Sequence, residues 1–238
     1  MAARLVAVRY DAVDPAALAR FWAAVLGWEV ETVSDDGARV RDADAGFGLH
    51  FVPTAEPKSG RNRMHFDVTS TSLEDQERTV SRALEHGGAP YDVGQRGDEG
   101  HVVLADPEGN EFCVIEPENQ FLAGCGKIGA LNCEGFPVTG YFWSRALDWR
   151  LVWDQDEETA IQSPRGGVKI TWSGGPLYPK PSTGVNRLSL ELAPDGNDPR
   201  TEADRLVSLG ATRATERERS GEILLTDPDG NELLLLSP

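Results

Sequence analysis

Apolar and polar positions alternate along residues 4–12, RLVAVRYDA, which predicts a strand with one buried face. The period then lengthens. Leu18, Phe21, Trp22, Val25 and Leu26 recur at helical spacing, Asp14 and Pro15 supply a cap and a first-turn proline, and Gly27 supplies a stop. Strands are expected at about 28–33, 38–42 and 47–52. After the loop PTAEPKSGRN the same succession begins again. RMHFDV reads as a strand, residues 72–86 as a helix capped by Ser72 and stopped by Gly87 and Gly88, and strands fall near 90–93, 101–105 and 110–116. The first half of the chain therefore holds two units, each a strand, a helix and three strands.

The second half repeats the first. A shift of 121 residues carries Phe21-Trp22, Leu26 and Trp28 onto Phe142-Trp143, Leu147 and Trp149, and carries DPEGNE (106–111) onto DPDGNE (227–232). GRNRMHFDV (60–68) meets GVNRLSLEL (184–192) at a shift of 124. Helices are expected around 137–147 and 200–209, the last ending at Gly210. The domains read as 1–118 and 127–238, joined by the linker NQFLAGCG at 119–126. In the repeated turn, Pro107 presets the backbone, Gly109 supplies a special backbone angle, and Asp106 can accept bonds from the turn's own amides. Both copies thus read as tight hairpins that serve as scaffold.

Composition narrows the class. The 238 residues carry a formal charge of −16 with 39% hydrophobic residues, which suits a globular chain and opposes binding to nucleic acid. An acidic surface suits a cationic ligand. Cys113, Cys125 and Cys133 are odd in number with no CxxC spacing, so neither a disulfide framework nor a structural zinc site is indicated, and a reducing cytoplasm is expected. Neither a signal peptide nor an apolar stretch of about 20 residues is present, so no membrane association is expected.

The ordered set DPAALARFWAAVLGW, EPKSGRNRMHFDV and DPEGNEFCVIEP, with its second-half partners, resembles the vicinal oxygen chelate superfamily of glyoxalase I, extradiol dioxygenases and bleomycin-resistance proteins. The resemblance implies an α+β fold of two tandem glyoxalase-like domains, in which two units form a curved sheet around a cavity with helices on the convex face. In metal-using members four side chains, usually His and Glu, hold a divalent ion, one from the first and one from the last strand of each unit.

Those positions are poorly filled here. The first-strand histidine falls at Ala7, His50 stands near the last strand of the first unit, and His65 matches the opening of the second. Four residues after Gly109 the expected glutamate is Cys113. The second-half positions are Ile128, Thr171, Ser189 and Leu234, which offer no metal site. The expectation is a small-molecule binder without a metal cofactor. The alternative is a lyase, isomerase or dioxygenase holding one divalent ion (zinc, nickel, manganese or iron) in the first domain on His65 and His50.

Strand alternation in RMHFDV places His65 and Asp67 opposite Met64, Phe66 and Val68, so both face the cavity and are the candidate acid–base pair. Glu191 repeats that inward carboxylate in the second half. Either carboxylate can instead pair with a neighbouring Arg or Lys. His101 is placed beside His65 or on an exposed edge, and Glu111 at the cavity rim. Trp153 and Trp172, without first-half partners, are candidates for lining a pocket or interface. Trp22, Trp28, Trp143 and Trp149 read as core, and His86 as the cation at a helix C-terminus. The expected partner is a cationic or aromatic small molecule. The chain itself reads as a monomer with an internal pseudo-dimer, or as a homodimer.

Overall fold

The structure, a computed structural model, describes residues 2–97, 99–196, 198–214 and 222–236. The first unit comprises β1 (Arg4–Ala12), α1 (Pro15–Leu26), β2 (Glu29–Ser34), β3 (Gly37–Arg41) and β4 (Gly48–Pro53). The second comprises β5 (Met64–Val68), α2 (Leu73–Glu85), β6 (Ala89–Pro90), β7 (Val102–Ala105) and β8 (Glu111–Val114). In the third are β9 (Ile128–Cys133), α3 (Pro137–Leu147), β10 (Arg150–Gln155), β11 (Glu158–Gln162) and β12 (Lys169–Trp172). The fourth has β13 (Leu188–Ala193), α4 (Pro199–Leu209), β14 (Thr212–Arg213), β15 (Glu222–Thr226) and β16 (Glu232–Leu236).

Local chemistry sets the helix ends. Asp14 accepts from the amide of Ala17 and Ser72 from that of Asp75, each satisfying a first-turn donor, while Gly27 closes α1 at φ 73°. His86 caps α2 with its ring Nδ1 2.8 Å from the Arg82 carbonyl.

The α+β class stands, and each sheet is built from two units and has eight strands. The units that share a sheet come from different halves of the chain. Sheet A runs β14-β15-β16-β13-β1-β4-β3-β2, joining the first unit to the fourth. Sheet B runs β10-β11-β12-β9-β5-β8-β7-β6, joining the second to the third. The joints are antiparallel: β1 on β13, with Arg4 opposite Ala193, and β5 on β9, with His65 opposite Asn132. Each unit leaves one edge of its first strand bare, and a bare edge must be paired or protected. The period-2 pattern marks that edge without naming the strand that covers it.

Alternation sorts the side chains. Val8 and Tyr10 of β1, Leu49 and Phe51 of β4, Met64, Phe66 and Val68 of β5, and Ile170 and Trp172 of β12 enter one continuous core. The two sheets meet there, the Tyr10 and Phe66 rings lying 5.7 Å apart between centroids. The opposite face of each sheet is open and carries the polar residues.

The repeated turn fastens helices to this core. The indole of Trp22 on α1 donates to Asp106 at 3.2 Å, and that of Trp143 on α3 donates to Asp227 at 3.1 Å. Each aspartate also accepts the turn's amides, those of Glu108 and Asn110 in the first copy and of Asp229 and Asn231 in the second. The third position of the turn reaches further. Glu108 accepts from the amides of Val13 and Asp14 ahead of α1, while Asp229 accepts from the amide of Phe136 and the hydroxyl of Thr139, capping a helix whose own N-cap residue offers no side-chain bond.

Burial pushes Asp106 and Asp227 up to about 6 against the stabilising hydrogen bonds they accept. A carboxyl whose folded pKa lies above its unfolded value keeps its proton between about pH 4 and 6 while the unfolded chain has lost it, so these groups make stability fall as pH rises through that window. Replacing Trp22 by Phe leaves a buried acceptor short of a donor and is expected to cost about 1–3 kcal/mol near pH 7, with a smaller loss near pH 4 where Asp106 is neutral. Urea unfolding at the two pH values checks this. An equal loss at both would show that the indole acts by shape alone.

Candidate functional site

The open face of sheet A is crowded with charge. In the parallel register His50 lies beside Arg9, and in the antiparallel register Ser189 lies opposite Arg9 and Glu191 opposite Ala7. His50 Nδ1 is 2.6 Å from Glu191 Oε1. A carboxylate only accepts, so Nδ1 carries the proton and the Arg39 guanidinium 3.2 Å from the same nitrogen acts by charge. Arg39 also stands 3.8 Å from Glu191 Oε2, which accepts no hydrogen bond. Arg9, itself buried, spans Asp11 at 3.4 Å and Glu222 at 3.6 Å. Three basic groups therefore face three carboxylates.

Sheet B differs. A cavity of about 310 Å³ opens on its polar face. His65, Cys113 and Asn132 line its floor, with His101 and Val103 beside them. Arg61, Glu134, Ser173 and Tyr178 form its other walls. The loop that carries Tyr178 is tied down at two points: its amide donates to Glu134 at 2.5 Å, and its carbonyl accepts from Arg63 at 2.6 Å. Arg61 donates to the Tyr178 hydroxyl at 2.9 Å and lies over its ring.

Asp67 sits at the base of this floor. Its Oδ1 is 3.6 Å from His65 Nε2, and Asn132 and the Cys113 thiol stand beside the carboxylate and favour its charged form. Burial raises its pKa, opposed by His65 and His101. Burial and the adjoining Asp67 charge push the Cys113 thiol up to about 12. Cys113 is thus a neutral donor at physiological pH rather than a thiolate nucleophile.

Beyond Cys113 the open face is filled. Leu122 of the linker packs with Ile115 and Ala130, and Cys113 and Cys125 border that cluster. The Lys169 ammonium donates to the Phe121 carbonyl and lies 4.3 Å from the Phe121 ring centroid, while Phe121 meets Trp153 edge-on. The linker therefore covers one end of the sheet.

The sequence profile of the glyoxalase-like domain matches residues 7–115 and again 130–236. The chain belongs to the glyoxalase-like domain family, within the vicinal oxygen chelate superfamily. No curated protein matches the sequence. Among solved structures, glyoxalase I from Zea mays is similar over 99% of this chain and 92% of its own at a TM-score of 0.65 and 14% identity, a likeness of fold. A glyoxalase/bleomycin resistance protein/dioxygenase family enzyme from Burkholderia phytofirmans PsJN covers 47% of this chain and 96% of its own, with 18% identity and a TM-score of 0.39.

The glyoxalase-like frame redistributes the residues singled out from sequence. His50 and His65, expected to serve one ion, lie on different sheets, because β1 and β4 pair with the fourth unit while β5 and β8 pair with the third. His50 meets Glu191 instead. His65, Asp67 and Cys113 do come together, with ligand atoms all within 4.8 Å of one another. His101 and Glu111 line the same cavity. Trp172 belongs to the core at 1% exposure, since alternation puts it on the Ile170 side of β12, whereas Trp153 is exposed, edge-on to Phe121 of the linker. Arg39, Asn132 and Tyr178 were missed. Asn132 carried a usable signal, since it alternates with Ala130 on a first strand, but Arg39 and Tyr178 arrive through pairings and a loop that no periodicity marks.

The two faces should respond differently to truncation. Glu191→Ala strands Arg39 and His50 beside a buried gap and is expected to cost about 3–5 kcal/mol, whereas His65→Ala, on the wall of an open cavity, is expected to cost about 1 kcal/mol or less. Denaturant midpoints of the two variants check the contrast.

Proposed function

We propose that this glyoxalase-like protein binds a small molecule on the open face of sheet B, with His65 and Asp67 as the pair able to hold or move a proton beside it. The observation that carries the reading is the contrast between the faces. On sheet A the equivalent centre is filled by the His50–Glu191 contact and its arginines, while on sheet B a cavity of about 310 Å³ stands over half-satisfied polar groups. Asp67 is the basic partner supported by its surroundings: burial raises its pKa toward the range where a base works at neutral pH. Cys113, by contrast, keeps its proton to about 12 and serves to position Asp67. Binding stands ahead of catalysis because the fourth residue after Gly109 supplies a thiol where a carboxylate base is expected.

A metal-assisted reading is favoured by one observation. The 3.6 Å between His65 Nε2 and Asp67 Oδ1 matches the donor separation across a tetrahedral ion, about 3.3–3.7 Å for bonds of about 2.0–2.3 Å, and the imidazole, carboxylate and thiol form a donor set that zinc accepts. The residues present therefore fit a divalent ion held by His65, Asp67 and Cys113. Such an ion would polarise a carbonyl or acidify a bound water. Cys113 must lose its proton to join the set, so affinity would rise with pH.

Two measurements separate the readings. Thiol labelling of Cys113 is expected to be slow at neutral pH, to accelerate only as pH climbs toward about 12, and to slow further with any small molecule that raises the melting temperature. Stoichiometric cobalt(II) uptake with a thiolate-to-cobalt charge-transfer band, lost in Cys113→Ser, would favour the metal reading. A stabilising ligand that binds chelator-treated protein undiminished would favour metal-free binding. Failure of every compound in a metabolite screen to protect Cys113 would count against the cavity as a ligand site.

A further inference from the structure

The two halves place the same glutamate in the same position and satisfy it differently. Glu111 and Glu232 each end a DPxGNE turn, and each receives a lysine from the loop that joins two units, Lys58 at 3.1 Å and Lys180 at 2.6 Å. The second oxygen of Glu232 then accepts from both the backbone amide of Asn186, at 3.2 Å, and its side-chain amide, at 2.8 Å. The corresponding asparagine of the first half, Asn62, makes only the bond to the turn asparagine, donating to Asn110 Oδ1 at 3.1 Å as Asn186 also does to Asn231 Oδ1 at 3.2 Å. Among the described residues no donor meets Glu111 Oε2 in good hydrogen-bond geometry, although the Tyr91 hydroxyl stands beside the carboxylate, and the residue is only 8% exposed.

Glu111 belongs to a wall of the sheet-B cavity. A buried carboxylate oxygen without a donor is costly, and the matching group in sheet A shows that this framework can supply one. Lys58 holds Oε1 and fixes the carboxylate. Nearby groups set the charge of what can complete it. Glu134 lines the same cavity and Asp67 adjoins its floor, whereas the lining cation, Arg61, is engaged with the Tyr178 hydroxyl. An anion would meet the Glu134 and Asp67 carboxylates besides Glu111, whose charge Lys58 offsets. Val93, Val103 and Tyr178 add apolar surface to the same cavity.

We propose that the sheet-B cavity takes a small molecule bearing a protonated amine, whose N–H binds Glu111 Oε2 while an apolar or aromatic body packs against Val103 and Tyr178. This rests on the reading of that cavity as a ligand site. Glu111 is then the residue that selects for the amine, and sheet A, where Glu232 is saturated, has no equivalent acceptor.

Benzylamine, benzyl alcohol and benzoate share a ring and differ in charge, so titrating each while observing the His65 and His101 ring resonances tests the assignment. Benzylamine is expected to bind at least about ten-fold tighter than the alcohol, with benzoate weakest. Glu111→Gln is expected to abolish that preference. Glu232→Gln, which loses the matching lysine pair on the other sheet, is expected to keep it. Should Glu111→Gln fail to fold, the order of the three probes on the wild-type protein still decides. Alcohol or benzoate binding as tightly as the amine at these histidines would overturn the role of Glu111 and leave the cavity reading standing. No response to any of the three would overturn both.

Discussion

A first strand with one bare edge governs this molecule. Every unit finishes its own four-stranded sheet with that edge unpaired, and the exposed N–H and C=O groups must find a partner. β13 covers β1 and β9 covers β5, and these two ladders decide which side chains can ever meet. Through them His50 faces Glu191, His65 faces Asn132, and the apolar sides of both sheets share one core. Had β1 covered β5, a different set of polar residues would have shared a face.

The two open faces use that framework in opposite ways. Sheet A places three basic groups against three carboxylates, an arrangement in which each charge offsets the desolvation of its neighbour. Sheet B keeps its polar groups around open space and holds the surrounding loops in place through Tyr178, Glu134 and Arg63. The linker matters as much as the loops. By packing Leu122 on Ala130 and Ile115 it covers one end of that face, so a segment that joins two halves in sequence is also part of the packing.

Much of this was legible in the chain, and for identifiable reasons. Alternation in RMHFDV turned His65 and Asp67 outward because Met64, Phe66 and Val68 have no other place than the core. Asp14, Gly27 and Ser72 marked helix ends through bonds that are local in sequence. What stayed hidden depends on distant partners. The repeated turn looked self-contained, yet its aspartates also hold the indoles of Trp22 and Trp143, and its final glutamates hold lysines from loops. The division of His50 from His65 was hidden for the same reason, since four similar units present four similar edges and periodicity does not rank them.

The crossed pairing also imposes an order on assembly. β1 leaves the ribosome long before the strand that covers it, which spans Leu188 through Ala193. Sheet B, whose joint needs only residues up to Cys133, can close while sheet A is still half made. Until the fourth unit emerges, the edge of β1 stays open to any strand that passes, and contacts so distant in sequence are slow to form. The interval between those two closures is therefore the period in which the nascent chain is most exposed to mispairing and most in need of a chaperone.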